Sequence, residues 1–411
     1  MAGPIKPHVT ARKTGGRTIE SRDLMQEYLA KDLSRRNLLA GALAAATAAA
    51  CGSDGNTTPT PTPTPSDAGS DAAVDAAPVD TTPPRMTHLV GAGQHDDHVM
   101  AAELALQETT GFDFVQSGQR VYLKVNTNSG DEFPYSTSPD MIRWVATKVR
   151  ERGGEVFVGD RSFFGDRGTR ANFAANGIAA VCDELGVELH VFGDPATDTA
   201  ANSVDWMDLP ADIDGLGARA AYWTGAMRIP AMVATADHII AMPCVKTHFI
   251  ASYTMSMKNM IGIINPRDRS NSNNLGNHST AGDKLHRQVA FMNKAGPAVS
   301  LVVLDGWTSL ISGGPLPSNA PPRAPAGWVA QTSDAHTVII SRDRVAADLT
   351  GLALLKTLSP MYEAIQSSTA RANRQMARAL ASGVGITSMD QYDLSGPSVT
   401  NIDMLRTLAT A

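Results

Sequence analysis

From about residue 120 onward, short runs of β-branched and aromatic residues alternate with longer segments whose apolar residues recur at helical spacing. RVYLKVN (120–126), EVFVGD (155–160) and VELHVF (187–192) read as strands, as do DHIIAMP (237–243), AVSLVVLDG (298–306) and HTVIISRD (336–343). SPDMIRWVATKVRERGG (138–154) opens on a serine and a proline and closes on glycine, the start and stop signals of a helix. ANFAANGIAAVCDELG (171–186) predicts another, and further helices are expected near 282–294, 343–357 and 369–383. Strands separated by helices of this length predict βαβ units: an α/β fold with a mainly parallel sheet and helices on both faces. Ligands of such sheets sit outside the carboxyl ends of strands. Polar residues fall there repeatedly: Lys124 and Asn126, Asp160, Lys246 and His248, Asp305. The Pro/Gly-rich stretch 312–327 predicts a long loop and a candidate lid.

The first 84 residues follow a different pattern. SRRNLL (34–39) leads into an apolar, alanine-rich run, Leu38–Ala50, which is too short to span a bilayer. A basic segment followed by a short apolar run describes an export signal. The paired Arg35 and Arg36 resemble the twin-arginine type, read by a translocase that accepts folded cargo. Ala48-Ala49-Ala50-Cys51 resembles a lipobox, in which Cys51 becomes the acylated N-terminus. Residues 52–84 hold five Asp and no Lys or Arg among Pro, Thr and Ala, too little apolar surface to fold. The expected organisation is therefore a signal over 1–50, an acylated cysteine with a disordered tether over 51–84, and one α/β domain over 85–411. The protein is expected outside the cytoplasm, periplasmic or at the cell surface, attached to the membrane through the lipid alone.

Removing these segments changes the charge picture. Residues 1–50 carry +4 and 52–84 carry −5, so 85–411 holds −5 of the total of −6. Neither charge nor composition points to nucleic acid. Cys182 and Cys244 are the cysteines left after Cys51 and are expected to be buried, reduced and structural.

Within this acidic domain, Lys246 to Arg287 counts six Lys/Arg against Asp268 and Asp283, with His248, His278 and His286 in the same span. Lys246 and Lys258 stand in the apolar stretch PCVKTHFIASYTMSMKNMIGII (243–264), which has no carboxylate. A desolvated lysine has a depressed pKa and can act as base or nucleophile. His248 follows Lys246 by two positions, so on a strand both side chains face one way. Lys124 and Asn126 share that spacing. Arg267, Arg269 and Arg287 read as solvated cations. QHDDHV (94–99) reads as a helix N-cap rather than a metal site, and Met255, Met257 and Met260 as core packing rather than copper ligands. No Gly-x-Ser-x-Gly, P-loop or dinucleotide fingerprint occurs after a strand.

VYLKVNTN (121–128), GGEVFVGDRS (153–162), DHIIAMPCVKTH (237–248), TMSMKNMIGII (254–264), LVVLDG (301–306) and SRDRVAADLTGLALL (341–355) together resemble the family named domain of unknown function 362. Lys-Thr-His followed by Met-Lys-Asn-x-x-Gly is the most specific part. Cys244 stands where the family more often has the first lysine of Pro-Lys-x-Lys-Thr-His, and Lys124-Val125-Asn126 where it more often has Lys-Pro-Asn. The ferredoxin-like cysteine clusters of some members are absent here. The resemblance implies a fold and a site but no known reaction and no particular cofactor.

The residues support two expectations. One is an enzyme acting on a small anionic molecule, with Lys246, His248 and Lys258 as catalytic groups and Lys124, Asn126, Asp160, Asn259, His286 and Asp305 lining the pocket. The other is a non-catalytic lipoprotein that captures an anion or a metal.

Overall fold

The computed structural model describes residues 88–162, 168–193, 204–269, 274, 283–318 and 329–411. Arg35, Arg36, Cys51, the acidic tether and His278 lie outside the described residues, as does much of the 312–327 loop. No helix among the described residues is long and apolar enough to cross a membrane.

Ten strands among the described residues form the main sheet. They are β1 (Val90–Gln94), β2 (Arg120–Lys124), β3 (Glu155–Asp160), β4 (Glu188–Val191), β5 (His238–Ala241), β6 (Cys244–His248), β7 (Ser252–Thr254), β8 (Leu301–Ser312), β9 (Gln331–Ser341) and β10 (Leu394–Ser395). The order is β10-β1-β9-β8-β5-β2-β3-β4, with β6 lying along the second half of β8 and β7 folded back on β6. Pairings from β8 through β5, β2, β3 and β4 are parallel, whereas β9 runs antiparallel to both β1 and β8. The sheet is thus mainly parallel, as the alternation of elements predicts, with an antiparallel insert.

The two-residue side-chain period of a strand sorts this sheet into two cores. Val121, Leu123, Val158, Ile240, Met242 and Val303 pack beneath α1 (His98–Gln107), α2 (Pro139–Glu151) and α4 (Ile178–Leu185), which follows α3 (Thr169–Ala175). Tyr122, Phe157, Ile239, Ala241, Val302 and Leu304 face the other way. That side is covered by the one-turn α5 (Ser256–Asn259), α6 (Lys284–Ala295), α7 (Arg344–Leu358), α8 (Arg374–Ser382) and α9 (Ile402–Thr410). The expected helix over 171–186 is two helices, α3 and α4, because Gly177 adopts φ 82° and breaks the run. Cys182 and Cys244 are buried free thiols, and burial pushes both up to about 12.

Chain order sets where a ligand can enter. From β2 the chain adds β3 and β4 on one side, then returns to place β5 on the other. The carboxyl end of β2 is therefore a topological switch point, where the loops leaving adjacent strands part and open a crevice. Lys124 is the last residue of β2.

Candidate functional site

The floor of the crevice is a buried ion pair. Lys124 has no exposed surface, and its ammonium lies 2.9 Å from Asp160 Oδ1 at the end of β3. The same ammonium donates to the Val125 carbonyl at 2.5 Å and to Asn259 Oδ1 at 3.2 Å, while Asn259 Nδ2 donates back to the Lys124 carbonyl. Asp160 Oδ2 accepts from the Thr127 amide at 3.0 Å. Burial lowers the Lys124 pKa, and the Asp160 charge opposes that fall. Gly262 explains the spacing of Lys-Asn-x-x-Gly: a Cβ there would meet Asp160 Oδ1 at 1.8 Å and Lys124 Nζ at 3.0 Å. Only a residue without a side chain lets the turn after α5 lie on the ion pair.

The wall comes from β6 and α5. Every residue of β6 is buried, and Lys246 and His248 share its inward face. Lys246 donates to the Tyr135 carbonyl at 2.6 Å, the oxygen that also accepts from Asn126 Nδ2. His248 Nδ1 accepts from the amides of Ile250 and Ala251 at 3.1 and 3.2 Å, so its proton sits on Nε2. The N-terminal turn of α5 is fixed by Asp348 of α7, whose carboxylate accepts from the Ser256 and Met257 amides and from Ser256 Oγ. Burial pushes Asp348 up to about 7 against these bonds. The turn presents Lys258, half-buried, to the cavity. Burial, then the charges of Lys246 and Arg269, push Lys258 down to about 7. Burial first, with Lys124 adding to it, pushes Lys246 down to about 8.

These elements enclose a cavity of about 50 Å³ lined by Asn126, Asp160, Lys246, His248, Lys258 and Asn259, with Asn128, Arg161, Thr254, Ile261, Gly262, Arg269 and Pro315 around them. Among the described residues, Asp160 is the one carboxylate in that lining. Lys124 lies just beneath it, through its bonds to Asn259 and Asp160.

Besides Lys124, two residues expected in the pocket, Asp305 and His286, are not part of its lining. Asp305 does not end a strand: β8 runs on to Ser312, and the Asp305 carboxylate accepts from His98 Nε2 at 2.9 and 3.0 Å and from the Trp307 amide. His286 is buried on α6, where burial pushes it down to about 4, so it is neutral at ordinary pH. Arg269 also departs from expectation. It is 2% exposed rather than solvated, and its guanidinium donates to the carbonyls of Ile261, Arg161 and Ser162, tying the α5 turn to the end of β3. Arg267 and Arg287 are exposed, as read from sequence. Asp97 caps α1 by accepting from the Met100 amide, and Met255, Met257 and Met260 are core residues. No group of three His, Cys, Asp or Glu side chains that could hold a metal occurs among the described residues. Asp348, Gly262 and the backbone of Tyr135 hold the site together. Of these, only the glycine had a visible signal, its fixed place after Lys-Asn.

Fold and crevice define an α/β protein with a cation-lined cavity at a switch point of its sheet. The family model described as Domain of unknown function (DUF362) matches residues 121–353, a span that contains the whole cavity lining, and the chain belongs to that family. A thylakoid-associated protein of Synechocystis sp. is 27% identical over 208 residues, 49% of this chain and 56% of that protein. The chain thus matches little more than half the length of that curated relative. Among solved structures, the lactate racemase apoprotein from Thermoanaerobacterium thermosaccharolyticum aligns at 14% identity and a TM-score of 0.31, covering 55% of this chain and 51% of that one.

Proposed function

We propose that this protein is an exported, membrane-tethered enzyme that binds a small anionic substrate in the cavity and uses its lysines as acid and base. The observation that carries the reading is that, among the described residues, the lining sets the amines of Lys246 and Lys258 against a single carboxylate, Asp160, whose charge Lys124 already engages. Taking cations out of water costs free energy unless something negative repays it. A bound carboxylate, phosphate or sulfate would do so through charge-assisted hydrogen bonds. Acid–base work is favoured over a permanent clamp because Lys258 and Lys246 titrate at about 7 and 8, near the pH at which each can both give and take a proton. A non-catalytic anion-binding lipoprotein is the second reading, favoured by the commitment of His248 Nδ1 to two backbone amides.

A thermal-shift screen with phosphate, sulfate and short carboxylates tests the pocket. A ligand at one hundred times its dissociation constant raises stability by about 2.7 kcal/mol. That stabilisation should disappear in Lys246→Met and Lys258→Met. Stabilisation that survives in both variants would place the anion elsewhere.

The export reading rests on Arg35, Arg36 and Cys51. Replacing both arginines by lysine should leave precursor in the cytoplasm, and Cys51→Ala should release the protein from the membrane fraction. Normal localisation in the two variants would overturn the twin-arginine and lipid assignments respectively.

A further inference from the structure

We propose that Lys258 is a covalent site, whose side-chain amine condenses with the carbonyl carbon of a short 2-oxo acid while the neighbouring cations hold the carboxylate. This inference rests on the anionic-substrate reading and names the substrate class.

The three cavity lysines are not equivalent. Lys124 is engaged by Asp160, Asn259 and the Val125 carbonyl, and Lys246 by the Tyr135 carbonyl. Lys258 makes no hydrogen bond or ion pair among the described residues, and its side chain opens on the cavity. Among the described residues, the charged or titratable groups that act on it are cationic or neutral: Lys246 on β6, Arg269 beyond the α5 turn, and His286 on α6. The carboxylate of Asp160 is already bound by Lys124 and the Thr127 amide. An amine with cations on two sides and no counter-ion favours its neutral form, which is the nucleophile, as in lysines activated by a second cation. The direction in which Lys258 titrates agrees with that geometry.

Position and size narrow the partner. The α5 turn that carries Lys258 is pinned by Asp348, so the side chain leaves the backbone from a fixed point at the cavity wall. A cavity of about 50 Å³ holds roughly four water-sized groups at about 10–15 Å³ each. That accommodates the reacting end of a short oxo acid, its carboxylate and carbonyl. Lys246 and Arg269 flank the place the carboxylate would take.

The chemistry closes without an added oxidant or reductant. The amine lone pair forms the C–N bond as the carbonyl π bond breaks, and a proton passes from the new ammonium to the alkoxide, with Lys246 as carrier. The hydroxyl of this carbinolamine then leaves as water, taking a second proton from nitrogen, while the C=N bond forms. One water is released per imine.

Reductive trapping tests this on the full chain. The protein is incubated at pH 7 with glyoxylate or pyruvate and sodium cyanoborohydride, and adducts are mapped by peptide mass spectrometry. Exposed lysines titrate near 10.4 and are almost wholly protonated at pH 7, so Lys258 should be labelled at least tenfold faster than any of them. Sulfate should slow that labelling, and Lys258→Arg, which keeps the charge, should abolish it. Because the mapping is done on the parent protein, poor folding of the variant cannot hide the answer. Label spread over surface lysines with Lys258 no faster overturns the inference. Stabilisation by sulfate or acetate with no Lys258 adduct overturns the covalent site alone; no stabilisation and no adduct overturns the anion reading with it.

Discussion

The floor and the wall of the cavity are both built from lysines, fully buried at the floor and half-buried at Lys258, and they differ in what holds each charge. Lys124 is matched by Asp160, by Asn259 and by a backbone carbonyl, and the chain packs a glycine over the pair. Lys258, held one turn away from Gly262, has no such partner among the described residues. A cation whose charge is cancelled inside the fold contributes to the fold. A cation left uncancelled makes the empty protein less stable and gains free energy only when a ligand arrives. The same side chain therefore has opposite signs of effect on stability at the floor and at the wall of one cavity.

The largest expected effect lies on the floor. Lys124→Met leaves Asp160 buried without its counter-charge and should destabilise by about 3–5 kcal/mol in urea unfolding. The double variant Lys124→Met/Asp160→Asn should recover part of that loss. A single variant as stable as the parent would mean the pair is not a structural floor.

The wall should answer in the other direction. Lys258→Met should leave the ligand-free protein as stable as the parent or more so, while weakening anion binding by about 1.5–3 kcal/mol, ten- to a hundredfold, in calorimetric titration. A large loss of stability without ligand would make Lys258 a second structural cation and remove the contrast.

A pH series sharpens it further. The folded pKa values of Lys258 and Lys246, about 7 and 8, lie below the usual lysine value, so the unfolded chain binds more protons than the folded one between them and about 10.4. Burying them costs no proton-linked stability above about 10.4; the cost grows as pH falls below that value and levels off below about 8 for Lys246 and about 7 for Lys258. The slope should shrink in Lys258→Met and in saturating anion, both read by denaturant unfolding at each pH. An unchanged slope in the variant would contradict the depressed titration.

The smallest effect is expected beyond the lining. Asp305→Asn removes the charge that His98 faces and should alter stability, yet leave anion affinity within about 0.5 kcal/mol of the parent, as changes outside a binding site usually do. A tenfold loss of affinity would extend the site to Asp305.

Much of the fold was readable because hydrophobic period reports secondary structure directly. Strands near 120, 155, 188 and 238 and helices near 139, 284 and 344 follow from local spacing. So did the strand-end polar residues that meet at the crevice, since a parallel sheet sends successive strand ends to one edge. Asp305 misleads for a local reason: Gly306 reads as the end of a strand, but antiparallel pairing with β9 carries β8 past it to Ser312. Arg269 misleads for a distant one. Its flanking Arg-Asp-Arg-Ser looks solvated, and the carbonyls that bury it belong to Ile261, Arg161 and Ser162.

What the sequence determined by itself was the class of fold, the edge of the sheet that carries chemistry, and the presence of two lysines in an apolar run. Each depends on neighbours a few residues apart, and local spacing is written in the chain. Which lysine is neutralised and which is left open was decided by tertiary structure alone. That choice turns on a carboxylate 36 residues from Lys124, a glycine 102 residues beyond Asp160, and an aspartate 90 residues past Lys258 that pins its helix. Charge balance in a buried site is a sum over space, and only folding brings its terms together.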